Sequence, residues 1–399
     1  MASNQKKFYD DSSGVTLNYD ELLSQVSNQG IVKTAYAFNN SLDFLVNFIK
    51  AVVHEIDLTL IDPLNPSASL NEEVNFKSIK LSSLEEFREK INSSKVKITI
   101  FTSGTTGQPK KVVHSMSTLL REVRVSEKHS DVIWGFAYNP THMAGLQVLL
   151  QAVCNFNPLI DVFGKGKKDI TNILRSQSVT HISATPTFYR LLLPVHDPLM
   201  KIRSVSLGGE KSDEKLHANI KNAFPNARVF NIYASTEAGT IFSSHGSDFK
   251  IKPYLQSKIK VENNELFLHK TLTGDYGKTD EEWYNTGDVI EWIDENNGVF
   301  KFVSRKNEMI NVGGNKVNPH DVEEKILDID GIGSCFVYGK PNALLGNMIC
   351  ADVVLTNDQI NEVDIKKNLR GSLEAYEIPR KIKIVTSLET TRTGKLKRN

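Results

Sequence analysis

Cysteine is scarce in this chain. The three present, Cys154, Cys335 and Cys350, sit in apolar surroundings, and no two have CxxC spacing. That argues against a disulfide framework or a cysteine-built zinc site and for buried, reduced thiols. Charge of one sign is also missing: the net charge is +1, so no strong general pull toward nucleic acid or an anionic membrane is expected. Long apolar runs are absent too. The most apolar early stretch, Leu42 to Leu60, is interrupted by Asp43, Lys50, His54, Glu55 and Asp57. It reads as a core helix running into a strand, not a membrane span. The opening MASNQKKFYDD lacks the apolar centre of a signal peptide, and the chain shows no repeats, coiled coil or low-complexity segment. These absences place the expected location in the cytoplasm. What remains is ordinary globular composition, 40% hydrophobic and 24% charged, in 399 residues, enough for two or three domains.

Patterning along the chain alternates. Asn18 to Gly30 and Ser41 to His54 carry helical apolar stripes, whereas Lys33 to Phe38 and Leu58 to Ile61 read as strands. Asn65 to Asn92 reads as polar and irregular. A β-rich run, Val96 to Phe101, is followed by further strands and helices up to Arg228 to Tyr233, which favours a parallel sheet with covering helices. After Glu237 short alternating strands with Asn-Asn and Asn-Gly turns predict an antiparallel barrel or sheet: Lys258 to Val261, Glu265 to His269, Val289 to Ile293 and Val299 to Val303. From about Asn307 a small α+β unit is expected, with helices Pro319 to Asp328 and Ile360 to Leu373 and strands Cys335 to Gly339 and Ile349 to Leu355.

The densest chemistry follows the strand at Val96 to Phe101. Thr102, Ser103, Gly104, Thr105, Thr106 and Gly107 lead through Gln-Pro to Lys110. Two glycines let backbone approach a ligand closely, the hydroxyls of Ser103, Thr105 and Thr106 and the amides suit an anion, and Lys110 offers a positive charge. The spacing does not fit GxxxxGK[ST], which disfavours a P-loop kinase or ATPase.

This loop resembles the phosphate loop of the adenylate-forming superfamily, which includes acyl-CoA synthetases, peptide-synthetase adenylation domains and luciferases. Lys111 stands where that family usually has Gly. Later segments resemble the family's motifs in order. Asn231-Ile-Tyr233-Ala234-Ser235-Thr236-Glu237 resembles the adenine and metal motif, with Ala234 in place of Gly. The resemblance implies that Tyr233 stacks on adenine, Asn231 meets its amino group, Thr236 bonds the α-phosphate and Glu237 holds Mg²⁺. Gly208-Gly209-Glu210 resembles the glycine turn lining the adenine and acyl pocket. Tyr284-Asn-Thr-Gly-Asp288 is similar to the segment whose aspartate accepts both ribose hydroxyls, and Arg305 to the arginine that bonds ribose. Asn307 falls at the hinge position, where Asp or Lys is usual, and Gly313-Gly314 in the loop that lines the thiol tunnel. Thr391-Arg-Thr-Gly-Lys395 resembles the terminal loop whose lysine reaches the carboxylate and the α-phosphate. Pro140-Thr-His142-Met-Ala-Gly-Leu146 is similar to the segment beside the acyl carboxylate. Each motif alone has a plainer reading: Thr-Gly-Asp as a turn, Lys395 in a frayed basic tail, His142 as a structural histidine.

The resemblance implies a large N-terminal domain, shortened, over 1–304, built of mixed α/β sheets with helices plus a small antiparallel β-region. A small mobile α+β domain over 305–399 follows. Its chemistry would be activation of a carboxylic acid with MgATP to an acyl-adenylate, catalysed by Lys395, Thr236 and His142, then transfer to a thiol. Coenzyme A is the default acceptor; the phosphopantetheine of a separate acyl carrier protein is the alternative. A silent nucleotide-binding regulatory protein is the reading from another class.

Overall fold

A computed structural model describes residues 6–62, 72–101, 110–277, 281–342, 345–357 and 360–388. Local sequence sets the first elements. The Asn18 side chain accepts from the Glu21 amide at 2.8 Å, and the Glu21 carboxylate takes the Asn18 amide at 2.9 Å. This reciprocal cap starts the helix Tyr19–Ser27, which buries Tyr19, Leu22 and Val26. The helix ends earlier than its pattern suggests, because the strand Gly30–Ala37 begins three residues before the expected Lys33. The apolar stripe from Ser41 does form a helix, Ser41–Val53, and Leu58–Ile61 is a strand as expected.

The region expected to be irregular between Asn65 and Asn92 is a correction. It contains the strand Glu72–Phe76 and the helix Leu84–Ser93, capped by Ser83, whose hydroxyl accepts from the Glu86 amide at 3.1 Å. Phe87 and Ile91, four positions apart, are its only buried residues, so its stripe is too narrow to stand out.

Four sheets follow, one of eight strands and three of five. The first has eight strands in the order Gly239–Ser244, Arg228–Ser235, Ser204–Gly208, His181–Ala184, Trp134–Phe136, Leu159–Asp161, Lys7–Asp10 and Thr16–Asn18. It is parallel throughout except at its two edges, each closed by an antiparallel strand. At its far end Tyr9 donates its hydroxyl to Asp161 at 2.6 Å. The second sheet orders Glu72–Phe76, Gly30–Ala37, Leu58–Ile61, Lys97–Phe101 and Lys111–Ser115. The helices Ser41–Val53 and Met143–Cys154 contribute to one continuous core between these two sheets.

The third sheet, wholly antiparallel, runs Asp248–Lys250, Val299–Arg305, Trp283–Asp294, Glu265–His269 and Ile259–Glu262. The expected strand Val289 to Ile293 is the second half of the twelve-residue Trp283–Asp294. The C-terminal region places Asn315–Val317, Ile310–Val312, Gly346–Leu355 and Ile332–Asn342 in one sheet, joined in parallel by Lys381–Ile384. The helices Pro319–Leu327 and Glu362–Leu369 pack on it around a core of its own. All three cysteines are buried and free. Among the described residues no helix is long and apolar enough to cross a membrane.

Two histidines inside this framework lower its acid tolerance. Burial pushes the His114 imidazole down to about 4; the hydrogen bond to the Thr236 carbonyl opposes that, and the Arg121 charge adds to it. His181 is also pushed down to about 4, first by burial and then by Arg203 and His129, with Asp131 opposing. Unfolded, both imidazoles titrate near 6.5, so the folded chain binds fewer protons below that pH. Their contribution to stability is complete above about pH 6.5 and is lost as the pH falls toward about 4. By pH 5 His114 should cost about 2 kcal/mol, and the partly exposed His181 somewhat less. Urea titrations at pH 7 and pH 5 check this: equal midpoints would refute it, and His181→Asn should shrink the difference.

Candidate active site

A parallel sheet collects its ligand loops at the carboxyl ends of its strands. Here those ends are residues 137–142, 185–187, 208–210 and 234–237. The loops are tied to one another. Glu210 accepts from the Thr187 amide at 3.0 Å and its hydroxyl at 2.7 Å, so the carboxylate of the glycine turn holds the neighbouring loop. Gly209 adopts φ +87°, a conformation L side chains resist, and a Cβ on Gly208 would come within 3.4 Å of the Tyr138 hydroxyl.

The strands Arg228–Ser235 and Gly239–Ser244 form a hairpin with Thr236, Glu237 and Ala238 at its turn. The Ser235 hydroxyl accepts from the Ala238 amide at 3.1 Å, and Gly239 takes φ +65°. Donors from outside the hairpin hold its backbone. His114 Nε2 donates to the Thr236 carbonyl at 2.8 Å, and the Gly274 amide to the Glu237 carbonyl, also at 2.8 Å. The Arg121 guanidinium bonds the carbonyls of Ala238 and, at 3.2 Å, Thr240, and reaches Leu272 at 2.9 Å. Beside Glu237 lies the Tyr284 phenol, whose pKa is raised by burial and then by the Glu237 charge.

Asn231 and Tyr233 are more committed than their motif suggests. The Asn231 amide accepts from Ser212 at 2.8 Å and donates to the Gly246 carbonyl at 3.0 Å. The Tyr233 ring stacks on Phe302 with centroids 4.2 Å apart and planes 16° from parallel. Its hydroxyl donates to Asp288 Oδ2 at 2.6 Å. Burial and the Asp288 charge hold that phenol well above its usual pKa, so it remains a donor. Phe302 thus covers one face of Tyr233, and the Phe242 ring lies 5.7 Å away, centroid to centroid.

Asp288 is 4% exposed and is the centre of this cluster. Its Oδ1 accepts from Arg305 Nε at 2.7 Å, while Oδ2 takes Tyr233. The Thr-Gly-Asp segment is part of the strand Trp283–Asp294, not the turn its residues suggest. Gly287 takes φ +73° within it, and the Thr286 hydroxyl accepts from the Asp288 amide at 3.1 Å. Beyond Arg305 the chain enters the short 3-10 turn Lys306–Glu308, with Asn307 exposed. Lys306 pairs with Glu265 at 2.6 Å, and His320 lies between Glu308 at 3.0 Å and Glu323 at 3.1 Å.

His142 stands at the N-cap position of the helix Met143–Cys154 without a side-chain cap bond, and its Nε2 lies 3.4 Å from Asp62 Oδ2. The helix packs so closely that a Cβ on Gly145 would meet the Asn139 carbonyl at 2.4 Å. Lys110 is exposed at the start of the strand Lys111–Ser115. Gly313 and Gly314 form the turn between Ile310–Val312 and Asn315–Val317, with φ +59° and +93°. Among the described residues, the turn's hydrogen bonds run to Leu345 and Asn311 of its own sheet. Thr102 to Gly107 and Lys395 lie outside the described residues.

Sequence reasoning passed over Asp62, His114 and Arg121. Asp62 lies just past the strand Leu58–Ile61, where nothing in its neighbourhood marks it as a partner of His142. His114 and Arg121 act on backbone carbonyls 117 to 151 positions away, contacts that leave no local pattern.

Comparison with known proteins gives the arrangement a family. The AMP-binding enzyme model matches residues 40–281, and the model of the AMP-binding enzyme C-terminal domain matches 321–395. A putative long chain fatty acid-CoA ligase, VraA, of Staphylococcus haemolyticus is 27% identical, over 75% of this chain and 68% of its own length. A 2-succinylbenzoate–CoA ligase of Listeria monocytogenes is 26% identical over the same shares. Among solved structures, ATP-bound MatB from Rhodopseudomonas palustris aligns with a TM-score of 0.73 at 18% identity, over 99% of this chain and 95% of that one. With one family model spanning over half its length and the companion model following in order, the chain belongs to the AMP-binding enzymes.

Proposed function

We propose that this enzyme activates a small carboxylic acid as an acyl-adenylate with ATP and Mg²⁺, then passes the acyl group to the thiol of coenzyme A. The observation that carries this reading is the meeting of three segments in one cluster of side chains. The strand Trp283–Asp294 brings Tyr284 beside Glu237 and Asp288 onto Tyr233, with Arg305 closing the cluster. CoA ligases among the relatives support the second half of the reaction.

In this reading the substrate carboxylate attacks the α-phosphorus of ATP and pyrophosphate leaves. Thr236 donates to the α-phosphate, and Lys395 offsets the charge that develops as the P–O bond breaks. Glu237 suits Mg²⁺, which takes one or two carboxylates and draws its remaining ligands from phosphates and water. Thr102 to Gly107 and Lys110 take the outer phosphates. Asp288 and Arg305 face the ribose, and the Tyr233 ring stacks on the adenine. Gly208 and Gly209 leave room for adenine and acyl group, while Asn231, Glu210, Ala234 and Ser235 shape the wall. His142, steadied by Asp62, sits where the acid enters. The unit 305–399 then turns about Asn307 against 1–304, withdraws Lys395 and presents Gly313-Gly314. The thiol adds to the acyl carbonyl, and AMP leaves as the thioester forms. Placement and charge stabilisation do most of the work.

The test incubates the protein with MgATP, coenzyme A and a panel of carboxylic acids. AMP release is followed, and thioesters are identified by mass spectrometry. Thioester on coenzyme A is the expected result. Thioester formed only on a phosphopantetheinylated carrier protein would replace the acceptor. Nucleotide binding without AMP release for any acid would favour the silent regulatory reading.

A further inference from the structure

We infer that His114 is a positioning residue for the phosphate and metal turn: its Nε2–H holds the Thr236 carbonyl and thereby sets the hairpin tip that carries Thr236 and Glu237. The inference rests on the reading above, in which those two residues take the α-phosphate and Mg²⁺.

Four observations carry it. First, the acceptor is a carbonyl, so Nε2 must carry the proton and Nδ1 is left as a bare acceptor. His114 is 0% exposed, and its Nδ1 has no hydrogen-bond partner among the described residues. Burying an unmet acceptor is costly, whereas an apolar side chain would fill the same space without that cost. What the imidazole adds over such a side chain is the single bond to Thr236.

Second, the space for the ring is built. A Cβ on Gly274 would lie 2.7 Å from both Cε1 and Nδ1 of His114 and 2.8 Å from Val112 Cγ1. The same Gly274 donates its amide to the Glu237 carbonyl. Consecutive carbonyls of the turn are therefore held by two groups that also touch each other.

Third, the bracing continues along the hairpin, since Arg121 takes the carbonyls of Ala238 and Thr240. A turn held at Thr236, Glu237, Ala238 and Thr240 has little freedom to drift, which charge stabilisation at a metal site requires.

Fourth, His114 stands on Lys111–Ser115, the strand entered directly from Lys110. The adjoining backbone is stitched to the Gly274 loop by Val113 and Asp275, which exchange hydrogen bonds of 2.7 and 2.8 Å. The imidazole thus couples the segment after the candidate phosphate loop to the candidate metal turn. Burial keeps it neutral at working pH, so the coupling stays constant there.

The experiment measures binding of MgATP, and of AMP without metal, by isothermal titration calorimetry. It compares the wild type with His114→Leu, His114→Gln, His114→Asn and Glu237→Gln, each checked by thermal melting. The Gln amide reaches the place of Nε2, whereas the Asn amide reaches that of Nδ1. Losing the bond should weaken MgATP about tenfold in His114→Leu and His114→Asn, with AMP changed much less, and His114→Gln should recover most of the loss. Raising Mg²⁺ should partly restore the weakened variants. Wild-type MgATP affinity in a folded His114→Leu, or equal losses for AMP and MgATP, would overturn the inference. Should His114→Leu not fold, the Gln and Asn variants decide: equal affinities would also overturn it. Glu237→Gln separates the two levels. Unchanged MgATP binding there sinks the reading of the turn itself; weakened binding there beside an unaffected His114→Leu sinks only the positioning role.

Discussion

Replacing Lys395 with alanine should lower acid-dependent ATP–pyrophosphate exchange by about 100- to 1000-fold, the usual size of the effect when one preorganised donor to a developing charge is removed. The affinity for MgATP should change by no more than about threefold, because a group that acts mainly on the transition state adds little to ground-state binding. The thioester step should also survive when acyl-adenylate is supplied ready-made, since the proposed rotation takes Lys395 away before the thiol arrives. Single-turnover measurements of both half-reactions check this. Equal losses in the two, or unaltered exchange, would remove Lys395 from the adenylation step.

Asp288→Ala should damage both stability and turnover. The carboxylate is almost wholly buried, and its two oxygens satisfy Arg305 and Tyr233 separately. Truncation leaves the Tyr233 phenol without its acceptor and the half-exposed Arg305 guanidinium without its counter-charge, at a cost of about 2 kcal/mol once solvent screening of the arginine is counted. Nucleotide turnover should fall by about a hundredfold or more, because the same oxygens are the candidate acceptors for ribose hydroxyls. Asp288→Asn keeps the shape and one acceptor. It should recover much of the melting temperature but little of the turnover. Chemical denaturation and AMP titration of the two variants separate these effects. A fully active Asp288→Asn enzyme would show that the charge does not matter to the reaction.

Much of the fold was readable because burial in this chain is wide and regular. Ser41–Val53 buries ten of its thirteen residues, and Leu58–Ile61 three of four, so apolar patterning marks them clearly. Leu84–Ser93 was hidden by its charge, with two buried residues set among Glu85, Glu86, Arg88, Glu89 and Lys90. Trp283–Asp294 was read short because Thr286-Gly287-Asp288 has the composition of a turn. In the structure the strand passes through it, and Gly287 absorbs the positive φ. The candidate site shows a similar division. The residue types and their order were legible, since Tyr233, Glu237, Asp288 and Arg305 belong to compact motifs. Their partners were not. Phe302 on Tyr233, Asp62 on His142 and His114 on Thr236 are contacts between distant segments, specified by how the sheets pack and by no local spacing. For the same reason the commitment of the Asn231 amide to Ser212 and Gly246 was not foreseen.

The opening strand Lys7–Asp10 has a consequence for how the molecule is made. It is synthesised about 150 residues before Leu159–Asp161, yet it is an interior strand of the eight-stranded sheet, lying between that strand and Thr16–Asn18. Its Tyr9 waits for Asp161, 152 positions further on, before its hydroxyl finds a buried acceptor. Closing so long a loop is entropically slow, and contacts at such separation delay folding. During translation the hairpin of Lys7–Asp10 and Thr16–Asn18 must therefore stay unsheltered while the Leu159 neighbourhood is still being synthesised, a window in which chaperone capture would matter most.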